Sequence, residues 1–431
     1  MNKNNKINVI TLGCSKNTVD SERLMNQIKL NNLILTDNPD DAGTVIINTC
    51  GFIEAAKEES INTILNAIAL KKEGKLNKVI VAGCLSERYE DELKKEISDV
   101  DAFFGTEKYE GILRELGGEL KYKLLGERVL TTPSHTAYLK ISEGCDHPCS
   151  FCAIPIMRGG HKSIPVEKLI EETGFLTRNG AKEIIIIAQD TTDYGRDLYG
   201  VPSLAMLLSK LTKVPGVEWL RLMYAYPSNF QDDVIEEIAS NPKICKYIDI
   251  PLQHISDSVL KSMRRGVTSR RTKELLLKLR EKIPGITIRT TFIVGYPNEK
   301  QSDFEELCEF IKQIKFDRIG VFTYSVEENT SSFILGDPIS EKEKQRRKDI
   351  LMEIQKDISL NINKSFMGKK IKVLVETKEG EFYVARSYRD APEVDGEILI
   401  PIDNKEISLG TFYTVEIFDY NVYDIYGRFS D

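Results

Sequence analysis

Cys145, Cys149 and Cys152 stand in a C-x3-C-x2-C spacing inside the run Gly144-Cys145-Asp146-His147-Pro148-Cys149-Ser150-Phe151-Cys152. Three thiolates on one short loop can hold three corners of a cubane 4Fe–4S cluster, for which about four cysteine ligands make a closed set. The fourth iron then stays open to an outside ligand, as catalytic zinc keeps one position free. An amino acid's amino and carboxylate groups can chelate that iron, and S-adenosylmethionine supplies both. Electron transfer into its sulfonium would break a C–S bond homolytically and release a 5′-deoxyadenosyl radical. The cofactors carry that chemistry and the protein positions them. A zinc site of the same cysteines with His147 is the alternative, but structural zinc usually takes two separated ligand pairs. His147 reads instead as a loop residue beside the ligands.

Three further cysteines share a pattern. Cys14, Cys50 and Cys84 follow closely on the β-branched runs 7–11, 44–48 and 78–82, and helical patterns come next. Ile53, Ala56, Ile64, Leu65 and Ile68 suit one helix face, and Tyr89, Leu93 and Ile97 another. Strand–helix alternation predicts a small open parallel sheet with right-handed crossovers. Ligands gather outside the carboxyl ends of such strands, where all three cysteines fall. Burial as ordinary core residues is the alternative for each. Cys245 precedes a strand without ligand neighbours, and Cys308 lies on the apolar stripe Phe304, Leu307, Ile311 and Ile314. Both read as structural.

The elements that must position the central triplet begin after a linker at 124–136. Strands at 137–141, 183–188, 219–224, 247–250, 287–294 and 318–324, with helical patterns between them, predict a partial (β/α)6 barrel. Asp249, Gln253 and His254 close the fourth strand, and Gly295-Tyr296-Pro297 the fifth. Ser340 and Glu343 fit a capping box before a charged helix carrying Leu351, Ile354 and Ile358. From residue 371 the pattern turns to short strands at 371–376, 382–387, 397–401, 414–418 and 427–429, punctuated by Gly380, Gly396 and Gly410. That predicts a small antiparallel β-barrel.

A C-x3-C-x2-C motif at the tip of a first barrel strand resembles the radical S-adenosylmethionine superfamily. The run from Cys145 to Gly160, the three upstream strand–cysteine units and the C-terminal β-module narrow the resemblance to the methylthiotransferases, across essentially the whole chain. The resemblance implies an amino-terminal methylthiotransferase domain at 1–123, a linker at 124–136, a radical-SAM barrel with connecting helix at 137–364 and a TRAM-like barrel at 365–431. It implies two 4Fe–4S clusters, one on Cys145, Cys149 and Cys152 and an auxiliary one on Cys14, Cys50 and Cys84, and it places Gly295 near the adenosine. An external electron donor follows from the same likeness. Ile156-Met157-Arg158-Gly159, Ala188-Gln189-Asp190-Thr191-Thr192, Arg221-Leu222-Met223-Tyr224-Ala225-Tyr226-Pro227 and Pro251-Leu252-Gln253-His254 resemble the branch that acts on an aspartate β-carbon of a small-subunit ribosomal protein. The other branch modifies a tRNA adenosine.

Charge points the same way. Residues 365–431 carry eight Lys and Arg against thirteen Asp and Glu, a net −5. An RNA-binding barrel needs a basic track beside its aromatic platforms. This one has aromatics, such as Phe412, Phe418 and Tyr423, with the wrong sign of charge, so a basic protein partner is expected rather than nucleic acid. Residues 365–431 would then serve as a separable docking unit, whose deletion leaves S-adenosylmethionine cleavage alone. The whole chain has 431 residues, 41% hydrophobic and 29% charged, with net charge −7. This is globular composition of two or three cores. Apolar stretches like 184–188 fall far below the roughly 18 residues of a membrane helix. The start, with Lys3, Lys6 and the apolar part 7–12, is too short for a secretory signal. A cytoplasmic monomer is expected. A non-enzymatic iron–sulfur carrier is the rival reading, favoured by closed four-cysteine clusters that neither triplet offers.

Overall fold

The computed structural model describes residues 5–403 and 407–430; Lys3, Lys405, Glu406 and Asp431 of the charge counts above lie outside them. The first sheet comprises β1 (Lys6–Thr11), β2 (Ile34–Leu35), β3 (Thr44–Thr49), β4 (Lys78–Gly83) and β5 (Ala102–Phe103), all parallel, in the order β2-β1-β3-β4-β5. Both its faces are covered, which is why the central strands read as continuous apolar runs. Val45, Ile47, Val79 and Val81 face one core, Ile46 and Ile80 the other. The helix Glu54–Lys72 buries Ser60, Ile64, Ala67 and Ile68. Ile53 and Leu65, expected on that face, are exposed, because Ile53 caps the helix and Leu65 points away from the sheet.

The second sheet is open and parallel. It comprises β6 (Thr136–Lys140), β9 (Glu183–Ile187), β10 (Trp219–Leu222), β11 (Ile244–Asp249), β12 (Thr287–Val294) and β13 (Arg318–Thr323) in sequential order, with a small hairpin of β7 (Ser142–Glu143) and β8 (Lys162–Ser163) inserted after the first strand. This is the expected six-unit partial barrel. Its convex side packs on helices through Leu139, Ile186, Leu220, Ile248 and Phe292. Cys245, expected before a strand, is the second residue of β11 and faces the hollow. The helix Glu341–Lys364 leans on β13 and buries Leu351. Only half of its expected capping box forms. Ser340 accepts from the Glu343 N–H, whereas the Glu343 carboxylate is spent on Arg346 and Arg347.

The chain ends in a closed barrel of β14 (Lys370–Glu379), β15 (Phe382–Ser387), β16 (Ile398–Pro401), β17 (Thr411–Tyr420) and β18 (Ile425–Phe429). Four pairings are antiparallel as expected; β16 and β18 pair in parallel to close it. Half a barrel has a hollow that its own strands cannot fill. Leu374, Tyr388, Ala391 and Phe412 of the C-terminal module fill it, packing on Tyr138, Ile185, Trp219, Cys245 and Tyr247, and Val19 of the first domain joins them. Arg386 reaches in to Glu183 (2.6 Å), which is fully buried and also takes Arg221 (2.7 Å). The module is therefore welded to the barrel, and the expectation that deleting residues 365–431 spares the catalytic half is withdrawn. Such a deletion takes Arg386 from Glu183 and the Ser387 and Tyr388 carbonyls from Arg221 at the seam.

Arg386→Met should cost about 3–5 kcal/mol, because it removes the buried cation shared by Glu183 and Glu376 and leaves Glu183 with Arg221 alone; the denaturant midpoint measures this, and an unchanged midpoint would contradict it. The junction should also be acid-sensitive. Burial alone would raise the Glu376 carboxyl, yet hydrogen bonds from His135 and Arg386 hold it down to about 2. A depressed carboxyl contributes stability above its ordinary range and loses it as the pH falls towards 2.

Candidate active site

Each cysteine of the first domain sits where a parallel strand ends and the backbone turns. Gly13 has φ +92°, and a Cβ there would lie 2.9 Å from the Cys50 Sγ. Gly51 likewise lies so close to Leu85 and Cys84 that a Cβ would meet the Leu85 Cα at 2.8 Å. These glycines let the tips after β1, β3 and β4 crowd together. Cys14 is exposed; Cys50 and Cys84 are buried.

The central triplet follows β7, and Cys145, Cys149 and Cys152 are half-buried. Tyr226, beyond the tip of β10, stacks on His147 with ring centres 3.6 Å apart and places its hydroxyl 3.5 Å from the Cys149 Sγ. Arg265 lies over the other part of this arrangement, 4.2 Å from the Tyr226 ring and 3.3 Å from the same sulfur. His147 Nε2 is 2.6 Å from Asp190, so it is held by a carboxylate, as expected of a loop residue beside the ligands.

The two triplets are neighbours. Cys84 packs against Ala153 and Met157, directly downstream of Cys152. Arg158 donates to the Cys84 Sγ (3.3 Å), to Asn17 and to Asp20 of the first domain and to Glu143 of the barrel. Lys140 joins Asp20, Glu143 and Glu107. The three carboxylates lie close enough to hold a metal ion, but this ammonium already occupies the position between them. Burial would raise the Asp20 carboxyl, yet Lys140 and Arg158 hold it well below the usual range. The network thus stays ionised and pins the two domains together across the site. Sequence reasoning missed it. Asp20 lies 120 and 138 residues from Lys140 and Arg158, and the available signal was only that Glu143 and Arg158 flank the triplet.

The remaining predicted positions hold strand tips. Asp249 is buried against Arg289 (2.8 Å) and takes the Tyr224 N–H. Gln253, at φ +72°, bridges to β12. His254 is fully buried, its Nδ1 accepting from the Ser256 N–H and its Nε2 lying 3.6 Å from Glu299. Gly295 gives its N–H to Glu299, and a Cβ there would collide with Lys344. Cys308 belongs to the barrel core.

The donor sets fit cubane clusters. Burial pushes Cys145, Cys152 and Cys84 up to about 12, so bare thiols there stay protonated and a cationic iron centre is what would ionise them. Backbone N–H groups of His147 and Ile154 already point at Cys145 and Cys152, and one guanidinium stands at a sulfur of each triplet. Among the described residues no fourth cysteine joins either set, since Cys245 and Cys308 lie in cores.

Residues 6–105 match the family described as uncharacterized protein family UPF0004, residues 139–311 the radical SAM superfamily and residues 367–429 the TRAM domain. The chain is 51% identical over 426 residues to ribosomal protein uS12 methylthiotransferase RimO of Christiangramia forsetii, covering 99% of this chain and 94% of that protein. The protein of the same description from Flavobacterium johnsoniae is 52% identical over 429 residues, with coverage of 99% and 98%. Among solved structures, the radical S-adenosylmethionine methyltransferase TsrM of Kitasatospora setae superposes with a TM-score of 0.57 at 12% identity, over 87% of this chain and 79% of that one. The cobalamin-dependent radical enzyme OxsB gives 0.52 at 13% identity, over 81% and 56%. These two likenesses concern the fold alone.

Proposed function

Because the chain belongs to the RimO family of ribosomal protein uS12 methylthiotransferases, we propose that it places a methylthio group on the β-carbon of an aspartate in that ribosomal protein. It is a radical S-adenosylmethionine enzyme. The observation that carries the proposal is the meeting of two cysteine triplets across one domain interface, with Cys84 packed on the segment after Cys152. When bound, two 4Fe–4S clusters and S-adenosylmethionine supply a hydrogen-abstracting carbon radical, the sulfur and the methyl group. A carbon beside a carboxylate has no acidic proton to lose at neutral pH, so hydrogen abstraction is the workable route.

The chain's own residues position these parts. Cys145, Cys149 and Cys152 would hold one cluster and Cys14, Cys50 and Cys84 the other. Arg265 and Arg158 place positive charge at one sulfur of each set. Tyr226 braces the first loop between His147 and Arg265. The Lys140, Arg158, Asp20 and Glu143 network fixes the spacing of the two sets and walls that side from water. Gly295, at the carboxyl end of β12, remains our candidate for the adenosine side.

The limits 1–123, 124–136, 137–364 and 365–431 are our reading of the domains. Two clusters drawn entirely from one chain suit a monomer, and an external donor must supply the electrons. No helix among the described residues is long and apolar enough to cross a membrane. A ribosomal substrate is met in the cytoplasm. Mass spectrometry of the ribosomal protein and of tRNA from a deletion strain tests the reading. The protein should lose the mass of one methylthio group while tRNA adenosines stay unchanged; the opposite result would overturn it.

A further inference from the structure

Lys16 is the second residue of the helix Ser15–Leu30, which starts directly after Cys14, and it is 93% buried, with 7% exposure. Its ammonium lies 3.0 Å from the centre of the Tyr224 ring. Nothing else in the described residues holds it, neither a hydrogen bond nor a carboxylate. This is singular. The other buried cations, Arg265 excepted, all have a carboxylate partner, Lys140 and Arg158 included. Arg265 faces the Cys149 sulfur, an anion once that cysteine is a ligand. A ring face satisfies one side of an ammonium that has three donors. The stem is enclosed while the ammonium itself reaches solvent, so its free donors are open to an anion from outside the chain.

The position says which anion. Tyr224 lies beyond the tip of β10, two residues before Tyr226, which touches Cys149. Tyr224 is held at φ +58°, a strained conformation for a non-glycine residue. Asp249 takes its N–H, and its carbonyl accepts from the Thr191 N–H. The ring is thus clamped beneath Lys16, and Lys16 stands between the residue beside one triplet and the start of the other. The acceptor carbon has to enter this same gap, and it is bonded to a carboxylate.

We propose that Lys16, set on Tyr224, binds the carboxylate of the acceptor aspartate and so selects that side chain for modification. This deepens the functional reading above and rests on it. The ammonium would be a specificity-determining group that fixes the acceptor side chain by its charge.

The test uses the cluster-loaded enzyme with S-adenosylmethionine, ribosomal protein uS12, and the same protein with its acceptor aspartate replaced by asparagine. Wild-type enzyme should bind the aspartate form on the order of 10- to 100-fold more tightly, the worth of a charge-assisted hydrogen bond. Lys16→Met should bind both forms equally, and Lys16→Arg should restore the preference. A purely structural lysine would weaken both forms together, which would overturn the proposal. So would a Lys16→Met enzyme that keeps the preference. A loss of S-adenosylmethionine affinity with the preference intact would assign the ammonium to the cofactor's carboxylate instead. An enzyme that methylthiolates uS12 yet binds both forms equally fails this inference alone, whereas one that leaves uS12 unmodified fails the functional reading.

Discussion

Alanine at Cys145, Cys149 and Cys152 together should leave the protein with about half its iron and no 5′-deoxyadenosine from S-adenosylmethionine. The remaining iron stays with Cys14, Cys50 and Cys84, which belong to another sheet and other strand tips. Half-buried thiols on one surface loop can lose their sulfur atoms without a large core cavity, so the fold should survive. Arg265 is the neighbour most affected. It loses the Cys149 sulfur but keeps the Pro251 carbonyl and the Tyr226 ring. Iron analysis with chromatography of the nucleoside product decides it, and undiminished cleavage would refute the assignment of the triplet.

The second large effect is the converse. Alanine at Cys14, Cys50 and Cys84 should abolish methylthiolation while 5′-deoxyadenosine still forms without coupled product. Cys84 touches Ala153 and Arg158, so some disturbance of the neighbouring loop is built into this experiment. The informative quantity is the ratio of cleaved cofactor to modified protein, which should rise without limit. Loss of cleavage while the other triplet keeps its iron would show that the two sets do not divide the chemistry as proposed.

The strands and the cysteine positions were legible because both are local signals. A buried parallel strand is a run of β-branched residues, and a ligand triplet is a spacing. The two-residue edge strands Ile34–Leu35 and Ala102–Phe103 left no such run. The parallel pairing of β16 with β18 is a matter of closure, which no single segment encodes. Tyr226 and Arg265 escaped notice as site residues because they reach Cys149 from 77 and 116 residues away. Lys16 carries no mark in the sequence that sets it apart from other lysines. Its lack of a carboxylate becomes visible only when the other buried cations have been traced to theirs, or, for Arg265, to the Cys149 sulfur. Charge on the C-terminal module was read correctly from the sequence, but its attachment was not, since Arg386 finds Glu183 across 203 residues.

That attachment sets an order of assembly during synthesis. A nascent chain emerges amino terminus first, and its domains usually fold in that order. Here the six barrel strands are all made by Thr323, while Leu374, Tyr388, Ala391 and Phe412, which fill their hollow, come later. Until then Trp219, Tyr247 and the Glu183–Arg221 pair face an open groove. The barrel half therefore reaches its final form only after Phe412 has been made. A product cut short before residue 374 carries all six cysteines of the two triplets yet leaves Trp219 and Tyr247 uncovered.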